Sequence, residues 1–195
     1  MENSRATQMH DDELRRIGYI YLPEALTPAE QAGLVEAIDK EGRWEQDYER
    51  LAQRHGYRYE YKSRTLTRTG PLAPWVRSWA EAAHERRWMS SRPDQVTVQW
   101  YEPGTGIADH CDDRQCFGPE IATISLLAPC TYRLHYPGSK QAHTQVLEPG
   151  CVVLLSGEAR AHWKHDIPKT KATRIGTRRL SVTFRTVDSR RVRAA

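Results

Sequence analysis

Long hydrophobic runs are missing from this 195-residue chain. The longest aliphatic stretch is Val152 to Leu155, whereas a membrane-spanning helix needs ~20 apolar residues. The first residues, MENSRATQMHDDELRR, lack the apolar core of a secretory signal. No membrane partner is therefore expected, and the expected compartment is the cytoplasm. Cysteine is sparse, with four residues at 111, 116, 130 and 151 and no CxxC pair. That spacing excludes a zinc ribbon and a thioredoxin-type motif. In a reducing compartment the four are expected as free thiols, most of them buried in strands. Repeats, low-complexity tracts and a dividing linker are absent as well. A single domain over residues 1–195 is expected, with a chain long enough to bury a real core.

Charge of one sign is only slightly in excess. Lys and Arg number 29 against 25 acidic residues, for a formal charge of +4. This balance allows a nucleic-acid partner without requiring one. The distribution is less even, because seven arginines and one acid fall between Arg174 and Ala195. A basic end of this kind reads first as a solvated tail and second as a phosphate-binding patch. The ends, 1–12 and 189–195, are expected to be mobile.

The pattern that is present opens as strand, helix, strand. Arg16 to Leu22 is rich in β-formers. Thr27-Pro28 sets up a helix start, Leu34, Val35 and Ile38 keep helical spacing, and Gly42 can end it. Tyr57 to Tyr61 alternates with period 2, and a second helix is expected over Trp75 to Trp88, after Pro74. Beyond residue 94, β-rich runs recur at 96–101, 121–127, 131–136, 145–147, 152–155 and 179–187. Pro-Gly pairs at 103, 137 and 149 are among the turns between them. Such spacing predicts an α+β, mainly β fold: a jelly-roll sandwich with N-terminal helices packed on one sheet.

Asp109-His110-Cys111-Asp112 offers an imidazole and a carboxylate two residues apart, on one face if extended. A second histidine would have to come from a distant strand, from His135, His143, His162 or His165. His162 and His165 are three apart, so an extended segment presents at most one of them. Two histidines and one carboxylate suit non-haem Fe(II) chemistry with dioxygen, although zinc hydrolysis uses similar ligands. The last strand alternates Arg179, Ser181, Thr183 and Arg185 against Leu180, Val182 and Phe184. Its polar face either meets water or turns inward. Turned inward, the two guanidinium forks could grip both ends of a small dicarboxylate.

The segments QVTVQWYEPGTGIADHCD, IATISLLAPC, GEARAHWKHDIP and RRLSVTFR resemble the AlkB family of 2-oxoglutarate and Fe(II)-dependent dioxygenases. Upstream, HGYRYEYK and GPLAPWV resemble that family's region before its catalytic core, and the likeness runs from about Gly18 to Val187. The resemblance implies a double-stranded β-helix with its catalytic core over 94–187. It implies Fe(II) held by His110, Asp112 and His165, with 2-oxoglutarate and O2 as co-substrates. By position it places Arg179 on the distal carboxylate of 2-oxoglutarate, Arg185 beside the metal-chelating end, and Tyr101 in a hydrogen bond to the co-substrate. Where the family often has asparagine this chain has Gln99, so that contact is left open.

The activity implied is oxidative demethylation of N-alkylated bases, of the 1-methyladenine and 3-methylcytosine type, in single-stranded DNA or RNA. A flipped base needs an aromatic platform and basic residues. Tyr57, Arg58, Tyr59 and Arg114 are the candidate substrate residues, with Tyr61 and Arg64 alongside. A second reading keeps the oxygenase chemistry on a tRNA modification, a protein side chain or a small molecule. A third is a binding module with a vestigial metal site, against which the intact ligand and arginine set argues. A monomer is expected, and no protein partner is inferable.

Overall fold

The computed structural model describes residues 7–171 and 176–193. Its first strand, β1 (Thr7–Gln8), leads to helix α1 (Asp11–Ile17), strand β2 (Tyr19–Leu22) and helix α2 (Pro28–Glu41). Strands β3 (Glu45–Asp47), β4 (Arg50–His55), β5 (Tyr57–Glu60) and β6 (Thr65–Arg68) follow, then helix α3 (Pro74–Glu85). The remaining strands are β7 (Gln95–Tyr101), β8 (Ile107–His110), β9 (Phe117–Leu126), β10 (Cys130–His135), β11 (Gln141–Leu147) and β12 (Val152–Leu155). A one-turn helix α4 (Gly157–Ala161) precedes β13 (Lys164–Ile167) and β14 (Arg179–Val187).

The strands form two facing sheets and a separate hairpin. The major sheet runs β2-β12-β9-β14-β7-β4-β3, the minor sheet β1-β11-β10-β13-β8, and β5 pairs with β6. Every named pairing is antiparallel except β1 with β11. This is the expected double-stranded β-helix. Period-2 alternation explains how one strand serves two layers. Leu180, Val182 and Phe184 of β14 are fully buried with Val96, Val98, Ala122, Ile124 and Leu126 beneath α2 and α3. Arg179, Ser181, Thr183 and Arg185 point the other way, between the sheets, beside Tyr101, Gln99, Thr97 and Gln95 of β7.

The helices obey their local chemistry. Glu30 N–H donates to Thr27 Oγ1 at 3.2 Å and Thr27 N–H donates to Glu30 Oε2 at 2.8 Å, a capping box ahead of Pro28. Gly42 ends α2 at φ 62°.

Several expectations need correction. Arg16 to Leu22 is not one strand: α1 runs to Ile17 and Gly18 turns the chain at φ 91°. A Cβ at Gly18 would sit 2.3 Å from the Ser156 carbonyl oxygen, so only glycine allows this approach. The second helix stops at Glu85, short of Trp88, and the run at 145–147 is the end of a strand that starts at Gln141. Parts of the two ends form regular structure. Residues 7–8 pair with 141–142, Asp11 and Asp12 begin α1, and Ser189–Arg191 form a 3-10 turn. Residues 1–6, Arg174 and 194–195 lie outside the described residues.

Candidate active site between the sheets

Histidine 110 ends β8 and His165 sits on β13, where the ladder makes the two direct cross-strand partners. Their ring centroids are 4.4 Å apart. Asp112 follows in the turn after β8, outside the strand itself. Its Oδ2 lies 3.7 Å from His165 Nε2. One ligand atom from each of the three falls within 4.8 Å of the others. Cross-strand pairing therefore supplies the second histidine. His162 is half exposed at the end of α4, 4.0 Å from Glu158. His135 faces Asp109 at 3.6 Å, and His143 packs on Tyr19.

The electrostatics suit a metal. Burial pushes the Asp112 carboxyl up, but Arg185, His165 and His110 outweigh it and hold the group well below the usual carboxylate range. Arg185 donates from Nε to Asp112 Oδ1 at 2.7 Å. Burial, then His110, draws His165 down to about 3 against the pull of Asp112. An ionised carboxylate and a neutral imidazole are the forms that ligate metals. A proton on His110 Nδ1 donated to the Ala108 carbonyl, 2.9 Å away, leaves the lone pair on Nε2. His165 Nδ1 is buried without a hydrogen-bond partner among the described residues. Donor chemistry and ionisation thus fit a divalent iron.

Arg179 stands at the other end of the same face, 5% exposed. Its Nε donates to Ser125 Oγ at 3.0 Å, its guanidinium lies 4.9 Å from the Tyr101 ring centroid, and its Nη1 is buried with no partner among the described residues. A buried, half-satisfied guanidinium calls for an anion. The cavity of about 60 Å³ in front of it is lined by Tyr101, Arg179 and Arg185 together with all three metal-site residues. Gln99, left open above, accepts from Tyr101 Oη at 2.9 Å and donates to Asp47 Oδ2 at 3.2 Å. Its amide thereby orients the tyrosine that faces the cavity.

A cleft of about 720 Å³ opens onto His110 and Asp112. Of the expected substrate residues Tyr59 lines it, whereas Tyr57, Arg58 and Arg114 do not. Tyr57 packs against the Leu66, Cys116 and Phe117 cluster, Arg58 pairs with Glu45, and Arg114 is exposed. The period-2 reading of 57–61 found the first strand of the hairpin but neither its partner β6 nor which side faced the cleft. Tyr48, Tyr61, Arg54 and Arg64 line it as well. Tyr61 makes edge contacts with Tyr48 and Tyr59 at centroid distances of 5.7 and 5.1 Å. Tyr48 carries no periodic signal in the sequence. It reaches the cleft because the β3–β4 turn places it there, at φ 56°.

Asp113 fastens the hairpin to the metal-site turn. It is 8% exposed and accepts from Tyr59 Oη at 2.9 Å, Arg64 Nε at 2.8 Å, and the backbone N–H groups of Gln115 and Cys116 at 2.7 and 3.2 Å. Burial and this acceptor role push the Tyr59 hydroxyl up to about 12.

A two-histidine, one-carboxylate metal site inside a β-sandwich, with a buried arginine one cavity away, defines the class of Fe(II) oxygenases that use a keto-acid co-substrate. The chain matches the model of the 2OG-Fe(II) oxygenase superfamily over residues 18–185. A protein of Arabidopsis thaliana named alkylated DNA repair protein ALKBH8 homolog is 32% identical over 91% of this chain and 60% of its own length. The Bos taurus mitochondrial alpha-ketoglutarate-dependent dioxygenase alkB homolog 7 is 30% identical over 81% of this chain and 71% of its own. A Xenopus tropicalis tRNA (carboxymethyluridine(34)-5-O)-methyltransferase, alkbh8, is 26% identical over 79% of this chain, which spans 26% of it. The solved structure of OsALKBH1 shares the fold, with a TM-score of 0.67 at 18% identity, covering 88% of this chain and 97% of that one. The chain belongs to the 2OG-Fe(II) oxygenase superfamily, among its AlkB-like members. Membership makes the domain over residues 18–185 one of the 2-oxoglutarate-dependent dioxygenases, a family that uses Fe(II) with 2-oxoglutarate and O2 as co-substrates. Among the described residues no helix is long and apolar enough to cross a membrane.

Proposed function

We propose that this dioxygenase removes N-methyl groups of the 1-methyladenine and 3-methylcytosine type from bases in single-stranded DNA or RNA. The observation that carries the reading is the cleft that opens onto His110 and Asp112. Tyr48 and Tyr61 are 72% and 52% exposed beside it, and Arg54, Arg64 and Lys169 share its wall. Half-exposed aromatic faces with cations between them suit an unstacked base and its phosphate.

In this reading His110, Asp112 and His165 hold Fe(II). When bound, the iron couples oxidation of 2-oxoglutarate to succinate and CO2 with oxygen insertion into a substrate C–H bond. Arg179 takes the distal carboxylate with its unpaired Nη1, held in place by Ser125. Tyr101, turned by Gln99, lines the co-substrate cavity. Arg185 fixes the Asp112 carboxylate and is itself held by Gln95 Oε1 at 3.2 Å. A hydroxylated N-methyl group on the cationic base breaks its C–N bond: the electron pair stays on the ring nitrogen, the hydroxyl proton passes to water, and formaldehyde leaves.

A second reading, hydroxylation of a modified tRNA base with the carbon retained, is favoured by the Xenopus relative, which is named for action on tRNA. Mass spectrometry of a treated single strand separates the two. Loss of one methylene unit supports demethylation, and gain of one oxygen atom on a tRNA anticodon fragment supports the second reading. Succinate formation with neither change refutes both.

A further inference from the structure

The basic end of the chain is not a loose tail in its described part. Asp188 N–H donates to the Cys116 carbonyl at 2.8 Å. The Asp188 side chain caps the following turn through Arg190 N–H at 3.0 Å. Val192 then forms a parallel bridge with Leu66, and Arg193 N–H donates to the Leu66 carbonyl at 2.9 Å. Leu66 also pairs with Tyr59 across the hairpin. The segment around Val192 therefore lies against the hairpin that supplies Tyr59 to the cleft, joined to it by a single parallel bridge. Val192 packs into the same apolar cluster as Leu66, Cys116 and Phe117.

This anchoring fixes cations at defined places. Arg191 donates to Gln115 Oε1 at 2.6 Å, which sets it beside Arg114. Arg193 follows the bridge to Leu66, two residues from Arg68. Arg68, Arg114, Arg191 and Arg193 are all exposed, and none forms a salt bridge among the described residues. At the cleft end, Arg64 uses Nε on Asp113 while its side chain stays 64% exposed. Holding like charges together costs self-repulsion, which an anionic partner relieves. Holding them in place beforehand also lowers the ordering cost when that partner arrives.

We infer that the C-terminal segment and the hairpin together form a phosphate-binding track. It leads from Arg64 at the cleft rim over Arg114 and Arg191 to Arg193 and Arg68, and it takes the backbone of the single strand whose base enters the cleft. The inference rests on the nucleic-acid reading above and adds to it a surface outside the cleft.

The test is binding of unmodified oligothymidylate and oligouridylate to the full chain, followed by fluorescence anisotropy across a salt series. Each phosphate contact on a single strand contributes about 0.7 to the slope of log affinity against log salt. Arg191→Gln with Arg193→Gln should therefore flatten the slope by about 1.4 and, for lines meeting at 1 M, weaken binding about 25-fold at 0.1 M salt. Arg114→Gln alone should flatten it by about 0.7. Lys40→Gln, on α2, should change neither quantity. Succinate formation without nucleic acid should stay at the wild-type level in all of them. Unchanged slopes in the arginine variants, with binding by the wild type intact, overturn the track and leave the functional reading standing. Loss of nucleic-acid-free succinate formation overturns it too, by making the segment a support of the catalytic fold. A wild type that forms succinate but binds no single strand overturns both.

Discussion

Replacing Arg179 by alanine should strip the protein of affinity for 2-oxoglutarate while sparing iron. The guanidinium is buried and, among the described residues, has Ser125 as its one hydrogen-bond acceptor and leaves Nη1 unpaired. Truncating one partner of a buried, hydrogen-bonded charge pair costs about 2–5 kcal/mol. Taking about 3 kcal/mol gives a loss of roughly a hundredfold in affinity. Thermal unfolding under anaerobic Fe(II) reads this directly. With 2-oxoglutarate at about a hundred times the wild-type Kd, binding stabilises the native state by about 2.7 kcal/mol. At ~2–4 °C per kcal/mol for a domain of this size, the wild-type Tm should rise by about 5–10 °C. At the same concentration the variant should gain about 0.4 kcal/mol, a rise of ~1 °C. Arg179→Lys should fall between, because it keeps the charge and loses the fork. Iron affinity, titrated without 2-oxoglutarate, should match the wild type in both variants. An equal loss of iron and 2-oxoglutarate would show that Arg179 shapes the fold and does not grip the co-substrate.

Asp112→Asn removes the anionic ligand at nearly constant shape and should abolish iron binding in an anaerobic titration; retained stoichiometric binding would take Asp112 out of the ligand set. Asp113→Asn weakens an acceptor of four donors and should cost about 2 kcal/mol. It should also speed amide exchange over 57–68 and raise KM for the nucleic acid more than it lowers kcat; exchange unchanged in the hairpin would refute the fastening role. His55 is buried on Trp75, and burial lowers its pKa, with Arg43 adding to that and Glu41 opposing it. Its unfolded form therefore takes up a proton first as pH falls. Stability should decline from the unfolded value of about 6.5 down to the folded pKa and then level off. In urea titrations His55→Phe should remove that part of the slope, and a slope unchanged by the substitution would refute the assignment.

Much of this was legible in the chain because local rules held. Thr27, Pro28 and Gly42 bracket α2 as their chemistry requires, and β14 alternates cleanly because its two faces meet different surroundings. The strands that build the metal site were not legible. β8 and β13 span four residues each, and their sequences, IADH and KHDI, show no run of β-formers. Pairing with each other and with β10 makes them strands, and that is a tertiary fact. β4 was missed for another reason. Arg50, Gln53 and His55 are polar yet buried, and they break the alternation by which a half-buried strand is found. The full ligand set follows from the family resemblance, and Tyr61 from the tyrosine run at 57–61, whereas Tyr48 needs the folded cleft.

Arg160 reaches across from α4 to the turn after β8. Its guanidinium donates to the carbonyls of Asp112, Asp113, Phe117 and Gly118 at 2.8, 3.3, 3.3 and 3.2 Å. One side chain thus fastens the backbone from the metal-site Asp112 itself to the start of β9 without using any atom the ion needs. The shape of that corner is settled when the chain folds, so an incoming ion meets a finished socket. Loading and unloading should then leave the amide-exchange pattern of residues 111–118 almost unaltered, and exchange of one divalent ion for another should proceed at the pace of ligand substitution alone.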